Sequence, residues 1–172
     1  HPKELTKDAE RACRMLVDHG FPVNNQTVLL RGVNDSAQVL SELFRTLVRW
    51  RVRPYYLLHA DVVRGTGHLR TAVSAGVAIM EELQGRLSGI ALPKLIVDTP
   101  AGMGKVPIGP DYVVERSPGR TVLRTPRGVN VARRQWRGPW CRRWPSAPKP
   151  RPKAGSQSFQ RRPENTQWIS RS

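Results

Sequence analysis

Residues 94–98, Lys-Leu-Ile-Val-Asp, run directly into Thr99-Pro100-Ala101-Gly102-Met103-Gly104-Lys105, and this stretch decides the fold. A short apolar run closed by Asp98 and a Gly- and Pro-containing segment predicts a buried strand over 94–97 that hands over to a loop. Two comparable runs precede it: Gln-Thr-Val-Leu-Leu at 26–30, and an extended stretch over 52–58 with the pair Tyr55-Tyr56 after Pro54. Helical spacing fills the gaps. Val39, Leu40, Leu43, Phe44 and Leu47 predict a helix over 36–50, with Asp35 as its cap after the turn 31–35. Val77, Met80, Leu83 and Leu87 predict another over 73–87, after a polar loop from Asp61 to Thr71. A first helix over 6–19 has Thr6 to cap it, Asp8 and Glu10 in its first turn and Gly20 at its end. Its predicted buried stripe is Ala9, Ala12 and Leu16, with Cys13 and Met15 beside them.

Helices alternating with strands predict a parallel α/β arrangement. Three strands do not close a barrel, and a complete (β/α)₈ barrel needs about 250 residues. The chain therefore reads as an incomplete α/β barrel that starts partway through a larger domain. It has no initial Met, as expected for a fragment or a processed chain. A small hairpin is predicted within 111–131, with Ser117-Pro118-Gly119 as its turn.

Composition divides the chain at residue 132. The formal charge is +16, from 29 Lys+Arg against 13 Asp+Glu, and residues 132–172 carry +10 of it. The same residues hold four of the five Trp and six of the fifteen Pro, with no helical or strand period. Two regions are expected: an α/β region over 1–131 and a disordered basic tail over 132–172. Trp136, Trp140 and Trp144 interleave with Arg133, Arg134, Arg137, Arg142 and Arg143, a pattern that base stacking and phosphate contacts could use. Disordered sequence without a role is the simpler reading, and nucleic acid is not expected as a partner.

Other classes are excluded more directly. No run of roughly 18 apolar residues is present to span a membrane. The N-terminus has neither the charged nor the apolar region of a secretory signal. Cys13 and Cys141 are too few for a disulfide framework or a zinc site, so no metal site is expected and the compartment reads as reducing and cytoplasmic.

In parallel α/β folds, ligands meet the loops at the C-terminal ends of the strands. Three polar groups fall there: Arg31, Asn34 and Asp35; His59 and Asp61, with Gly65-Thr66-Gly67-His68 beyond; and Asp98 with Lys105. Lys105 follows Gly102-Met103-Gly104, where backbone can approach a ligand closely. A partly desolvated lysine can form a Schiff base; a solvated surface lysine is the plainer alternative. A phosphate-binding P-loop is a poor match, since Thr99 stands where Gly is needed and Val106 where Ser or Thr is needed. Asp61 and Asp98, each at a predicted strand end, could hold a substrate ammonium or simply cap helices and pair with Arg64 or Arg70. His59 and His68 lack metal-ligand spacing and read as satisfied loop residues.

Taken together, these blocks resemble a known family. His1-Pro2-Lys3-Glu4, residues 25–35, Arg51-Val52-Arg53-Pro54-Tyr55-Tyr56-Leu57, Gly65-Thr66-Gly67-His68, and Val97-Asp98-Thr99-Pro100 with Gly104-Lys105-Val106-Pro107 are similar, in order and spacing, to the C-terminal portion of lysine 2,3-aminomutases. The resemblance covers about residues 1–131. It implies a barrel of the radical S-adenosylmethionine (SAM) type with a [4Fe–4S] cluster and pyridoxal 5′-phosphate (PLP). It also implies an isomerase that moves the α-amino group of L-lysine to the β-carbon through a 5′-deoxyadenosyl radical and a PLP aldimine. By the same resemblance Lys105 is the PLP lysine, Asp61 and Asp98 hold the distal ammonium of the substrate, and Gln26 contacts SAM. The resemblance leaves a homo-oligomer open for the full-length family.

The departures are specific. The family's Cys-x₃-Cys-x₂-Cys motif is not in these 172 residues. Leu58 stands where some relatives have Tyr, and Ser36 where some have a Cys of a structural zinc site. The chain alone is therefore expected to be inactive. Two other readings stay open: an aminomutase acting on a translation-factor lysine, for which both aspartates are not expected, and a truncated, non-catalytic chain whose basic tail binds nucleic acid.

Overall fold

The computed structural model describes residues 1–99 and 104–134. Helix α1 (Lys7–Asp18) begins where Thr6 Oγ accepts a hydrogen bond from the Ala9 amide at 3.2 Å, as expected for the cap. Strand β1 (Asn24–Leu29) follows, then α2 (Ala37–Arg49), β2 (Arg53–His59), α3 (Val73–Gln84) and β3 (Lys94–Asp98). The cap of α2 is Ser36, which accepts from the Val39 amide, rather than Asp35. Asp35 is occupied inside the turn, where it accepts from the Gly32 amide at 3.0 Å.

Strands β1, β2 and β3 are parallel neighbours, paired from Asn24 opposite Arg53 to Leu29 opposite His59 with one register shift between Asn25 and Gln26, and from Tyr56 opposite Lys94 to Leu58 opposite Ile96. The helices between them supply the crossovers that parallel pairing needs. A fourth strand, β4 (Lys105–Ile108), pairs antiparallel to β3. The sheet is thus mixed, in the order β1-β2-β3-β4, and Lys105 opens a strand rather than sitting in a loop. Six residues between Asp98 and Lys105 are too few for a parallel crossover, so the chain can only turn back on itself. Pro107 hid this strand from the sequence reading, yet proline is tolerated on an edge, and β4 is the edge.

One face of this sheet holds the core. Thr27, Leu29, Leu57 and Leu95 are buried on it, and Leu40, Leu43, Phe44 and Leu47 of α2 and Ile79, Met80 and Leu83 of α3 cover it. Burying a side chain of this size contributes about 1.5–3 kcal/mol, so this face dominates the packing energy. Gly76 lets α3 sit close. A Cβ there would meet Leu95 Cδ2 at 3.2 Å and Leu29 Cδ2 at 3.4 Å. The stripe expected on α1 is only partly realised. Ala9 and Cys13 pack against the core, whereas Met15 is 58% and Leu16 45% exposed. The row packed against the core is Leu5, just before the helix, then Ala9 and Cys13 at i, i+4 spacing, all only partly buried, which leaves the last turn of α1 outside the core.

The hairpin expected within 111–131 is present as β5 (Val113–Ser117) and β6 (Arg120–Arg124), and a third strand, β7 (Asn130–Arg134), extends it antiparallel. Ala132, Arg133 and Arg134, which composition assigned to the tail, lie in β7, where their backbone pairs with Arg120, Thr121 and Val122 of β6. The disorder expected of the tail otherwise concerns residues 135–172, which lie outside the described residues. The Arg124 guanidinium pairs with Glu81 of α3 at 2.9 Å. No helix among the described residues is long and apolar enough to cross a membrane.

Candidate active site

Side chains alternate across a strand, so residues two apart share a face. The face opposite the core therefore carries Gln26 and Val28 of β1, Tyr56 and Leu58 of β2, Ile96 and Asp98 of β3, and Pro107 and Lys105 of β4. Three of the four site residues proposed from the sequence, Gln26, Asp98 and Lys105, lie on it, and the helices' buried side chains join the other face.

Asp98 and Lys105 are directly opposite each other on the last rung of β3 and β4. Lys105 Nζ donates to both carboxylate oxygens of Asp98, at 2.7 and 2.8 Å. The hairpin behind them is closed by Thr99, whose amide and hydroxyl both donate to the Gly104 carbonyl, at 3.0 and 2.7 Å. Gly104 has φ of +104°, a conformation that glycine adopts without steric cost. Pro100, Ala101, Gly102 and Met103 lie outside the described residues. The Lys105 side chain is 48% exposed, so a solute can reach its amine.

Asp61 is exposed two residues past the end of β2, next to the strand whose end carries Asp98. Among the described residues it makes no ion pair; the pairing with Arg64 or Arg70 considered from the sequence is not formed. His59 Nε2 lies 2.9 Å from the Thr71 carbonyl, bracing the loop that contains Asp61. The loop after β1 is tied to the same end of the sheet, since the Arg31 amide donates to the Leu69 carbonyl at 2.7 Å. Gln26 is exposed on β1, two strands away from β3, and its rung neighbour is Tyr56. The structure thus brings Asp98 and Lys105 into contact and sets Asp61 and Gln26 around them at greater range.

Two features escaped the sequence reading. Asn25 and Gln26 oppose Pro54 and Tyr56, so Tyr55 is an extra residue in β2. The interrupted alternation stacks Tyr55 on Tyr56 with centroids 3.8 Å apart, and the two hydroxyls share a hydrogen bond of 2.9 Å. That hydrogen bond holds the Tyr56 phenol above its ordinary value, with burial and the Tyr55 charge adding in the same direction. The second is the bonding of Asn34, a residue the sequence already placed in the turn after the first strand: its side chain accepts from the Leu30 amide at 2.8 Å and donates to the Val28 carbonyl at 2.9 Å. The signal for it was present, since a buried Asn after a strand is a turn residue satisfied by local backbone.

Two grooves lie away from Asp98 and Lys105. One of about 640 Å³, lined by Gln38, Glu42, Arg45, Arg49 and Arg86 among others, includes none of the proposed site residues. Another of about 520 Å³ runs along β1, lined by Gln26, Val28, Leu30 and Asn34 among others. Among the described residues no group of three His, Cys, Asp or Glu side chains is placed to hold a metal ion.

Comparison with known proteins bears on this arrangement. The family model described as Lysine-2,3-aminomutase matches residues 80–135, the segment that includes Asp98 and Lys105. L-lysine 2,3-aminomutase of Fusobacterium nucleatum is 52% identical over 129 residues, 75% of this chain and 30% of that protein. The enzyme of the same name from Clostridium subterminale is 48% identical over 129 residues, 75% of this chain and 31% of its own length. Glutamate 2,3-aminomutase of Clostridioides difficile is 43% identical over 125 residues, 73% of this chain and 30% of its own. The chain spans about 30% of the length of these curated relatives. Over the matched three quarters of its length, the chain belongs to the lysine 2,3-aminomutase family and corresponds to the C-terminal portion of its members.

Proposed function

We propose that residues 1–134 form part of the wall and substrate end of a (β/α) barrel in a lysine 2,3-aminomutase. The observation that carries this is the pairing of Asp98 with Lys105 on the sheet face opposite the helices. In a barrel that face looks inward, and the strand ends that carry Asp98 and Asp61 form the catalytic rim. β1 pairs with β2 alone among the described residues, so its other edge is free to take a further strand.

The residues present fit PLP. Lys105 offers an accessible primary amine beside a glycine, and an aldehyde can condense with such an amine. Lys105 would hold the cofactor covalently. When bound, PLP supplies the conjugated π system through which an amino group can pass between adjacent carbons. Asp98 and Asp61 would fix the far end of the substrate by its ammonium, each through charge-assisted hydrogen bonds. That end is anchored so that the reacting carbons lie at one reproducible distance from Lys105. The same carboxylates repel a side chain that ends in an anion. This favours lysine over glutamate, the amino acid named for the Clostridioides difficile relative. Gln26 would meet SAM from β1.

The described residues do not fit a [4Fe–4S] cluster. Their one cysteine, Cys13, is half-buried on α1, whereas such a site needs three or four thiolates. The cluster belongs, in this reading, to the part of the relatives that the chain does not span. A protein-bound lysine as substrate is the second reading, and the carboxylate pair favours a free amino acid with its own terminal ammonium.

The test is a fusion of residues 1–134 to the upstream portion of the Clostridium subterminale enzyme, incubated with PLP and reduced with borohydride. The pyridoxyl group is expected on the peptide that contains Lys105. Recovery on another lysine, with Lys105 unmodified, would refute the assignment.

A further inference from the structure

We propose that Asp98 is a latch on Lys105: its carboxylate holds the ammonium in a two-point ion pair until an aldehyde takes the amine, and is then free to receive the ammonium of a substrate. The proposal rests on the reading of Lys105 as the cofactor amine.

The geometry argues for a latch rather than a chance contact. Both carboxylate oxygens accept from one nitrogen, at 2.7 and 2.8 Å. The residues share a rung, and Thr99 closes the hairpin next to it through two hydrogen bonds to the Gly104 carbonyl. The two backbones are thereby held at a fixed separation. The pair is also accessible, with Lys105 at 48% and Asp98 at 31% exposure. A buried pair would be closed to an incoming solute; this one opens at modest cost, because exposed ion pairs are weak.

The chemistry requires the opening. An ammonium bonded to a carboxylate has no lone pair to offer. For a Schiff base to form, Lys105 Nζ must leave Asp98, release a proton to solvent and add to the aldehyde carbon. Water then departs with the aldehyde oxygen, and a C=N bond replaces the C=O bond without any change of oxidation state. Asp98 is left with two unpartnered oxygens at the rim. The terminal ammonium of a diamino acid restores the lost pair. Before loading, that ammonium competes with Lys105 for one carboxylate; after loading it does not. Cofactor and substrate therefore strengthen each other's binding, and by linkage the coupling is reciprocal. In this scheme Asp98 positions and restrains Lys105 as well as binding the substrate.

The experiment uses the 172-residue chain mixed with PLP. Schiff-base absorbance is followed in time, and borohydride trapping with peptide mass analysis gives the fraction on Lys105. Asp98→Asn is expected to form the Lys105 adduct about two- to fivefold faster than the parent, the range that an exposed ion pair can supply. The advantage should shrink towards one at high salt, because the parent's pair is screened and the variant has none. Asp98→Glu should return the rate towards the parent's, and Asp8→Asn, which removes one charge from α1, should match the parent. If Asp98→Asn fails to fold, the parent and Asp98→Glu carry the test, through slow loading that accelerates with salt relative to the other lysines. Equal rates for the parent and Asp98→Asn, or an advantage indifferent to salt, would overturn the latch and leave Lys105 as the cofactor amine. Absence of label at Lys105 in every variant would overturn both.

Discussion

Asn34 gives the most quantitative test of how the fold holds the rim in place. The residue is 4% exposed in the turn after β1, and its side chain satisfies the Leu30 amide and the Val28 carbonyl at 2.8 and 2.9 Å. Asn34→Ala removes both bonds and strands a buried donor and a buried acceptor. Each orphaned group costs about 1–3 kcal/mol when water cannot replace the partner. The turn lies near the surface, so water can reach one of them, and the expected loss is about 1–3 kcal/mol. Urea unfolding followed by circular dichroism measures it as a lower midpoint at unchanged slope. Asn34→Asp separates the two bonds. It keeps the acceptor for the Leu30 amide but sets a carboxylate oxygen against the Val28 carbonyl. That repulsion raises the folded-state pKa of the new carboxyl above its unfolded value. Its contribution to stability is then fully present below the unfolded pKa and lost as pH rises through the folded one, so Asn34→Asp should recover stability on acidification relative to Asn34→Ala. A loss below about 0.5 kcal/mol for Asn34→Ala, the scale of an ordinary surface substitution, would refute the reasoning.

Three further outcomes are expected. Gly76→Val should destabilise by about 1–3 kcal/mol, because even a Cβ at this position meets Leu95 and Leu29 within 3.4 Å; a thermal midpoint equal to the parent's would contradict the close packing of α3. The Tyr112 hydroxyl is buried with no hydrogen-bond partner among the described residues, and burial first, then the Glu81 carboxylate, pushes its ionisation upward. Tyr112→Phe should therefore leave stability unchanged or raise it by up to about 1 kcal/mol, and a clear loss in urea unfolding would reveal a partner for that hydroxyl. The 172-residue chain should not cleave SAM after anaerobic reconstitution with iron and sulfide, since its two cysteines cannot supply a three-thiolate site; 5′-deoxyadenosine in the products would show otherwise.

The parallel half of the fold was legible because its signals are redundant. The runs at 26–30, 52–58 and 94–97 are apolar and short, and the helices between them repeat at helical spacing with caps at Thr6 and near residue 36. What could not be read was decided by neighbours. Strand β4 contains Pro107, and only its place on the sheet edge makes that residue acceptable. Met15 and Leu16 have the pattern of a buried stripe, yet burial depends on what packs against the last turn of α1. Residues 132–134 look like tail by composition and gain strand structure from pairing with β6. At the site, residue types pointed to Lys105, Asp98 and Asp61, but not to the contact between the first two. That contact follows from a rung in an antiparallel pair that the sequence did not announce. The bulge at Tyr55 was similarly hidden, because a one-residue register shift leaves no mark on an aromatic dipeptide.

We propose that the chain supplies the cofactor lysine and the ammonium site of a lysine 2,3-aminomutase. The most direct measurement replaces the matching portion of the Clostridium subterminale enzyme with residues 1–134 and follows β-lysine formation from L-lysine, with glutamate as the competing substrate. The fusion is expected to isomerise lysine in preference to glutamate, and Lys105→Ala to abolish the reaction. A folded, cofactor-loaded fusion that produces no β-lysine, prefers glutamate, or works equally well without Lys105 would contradict the proposal.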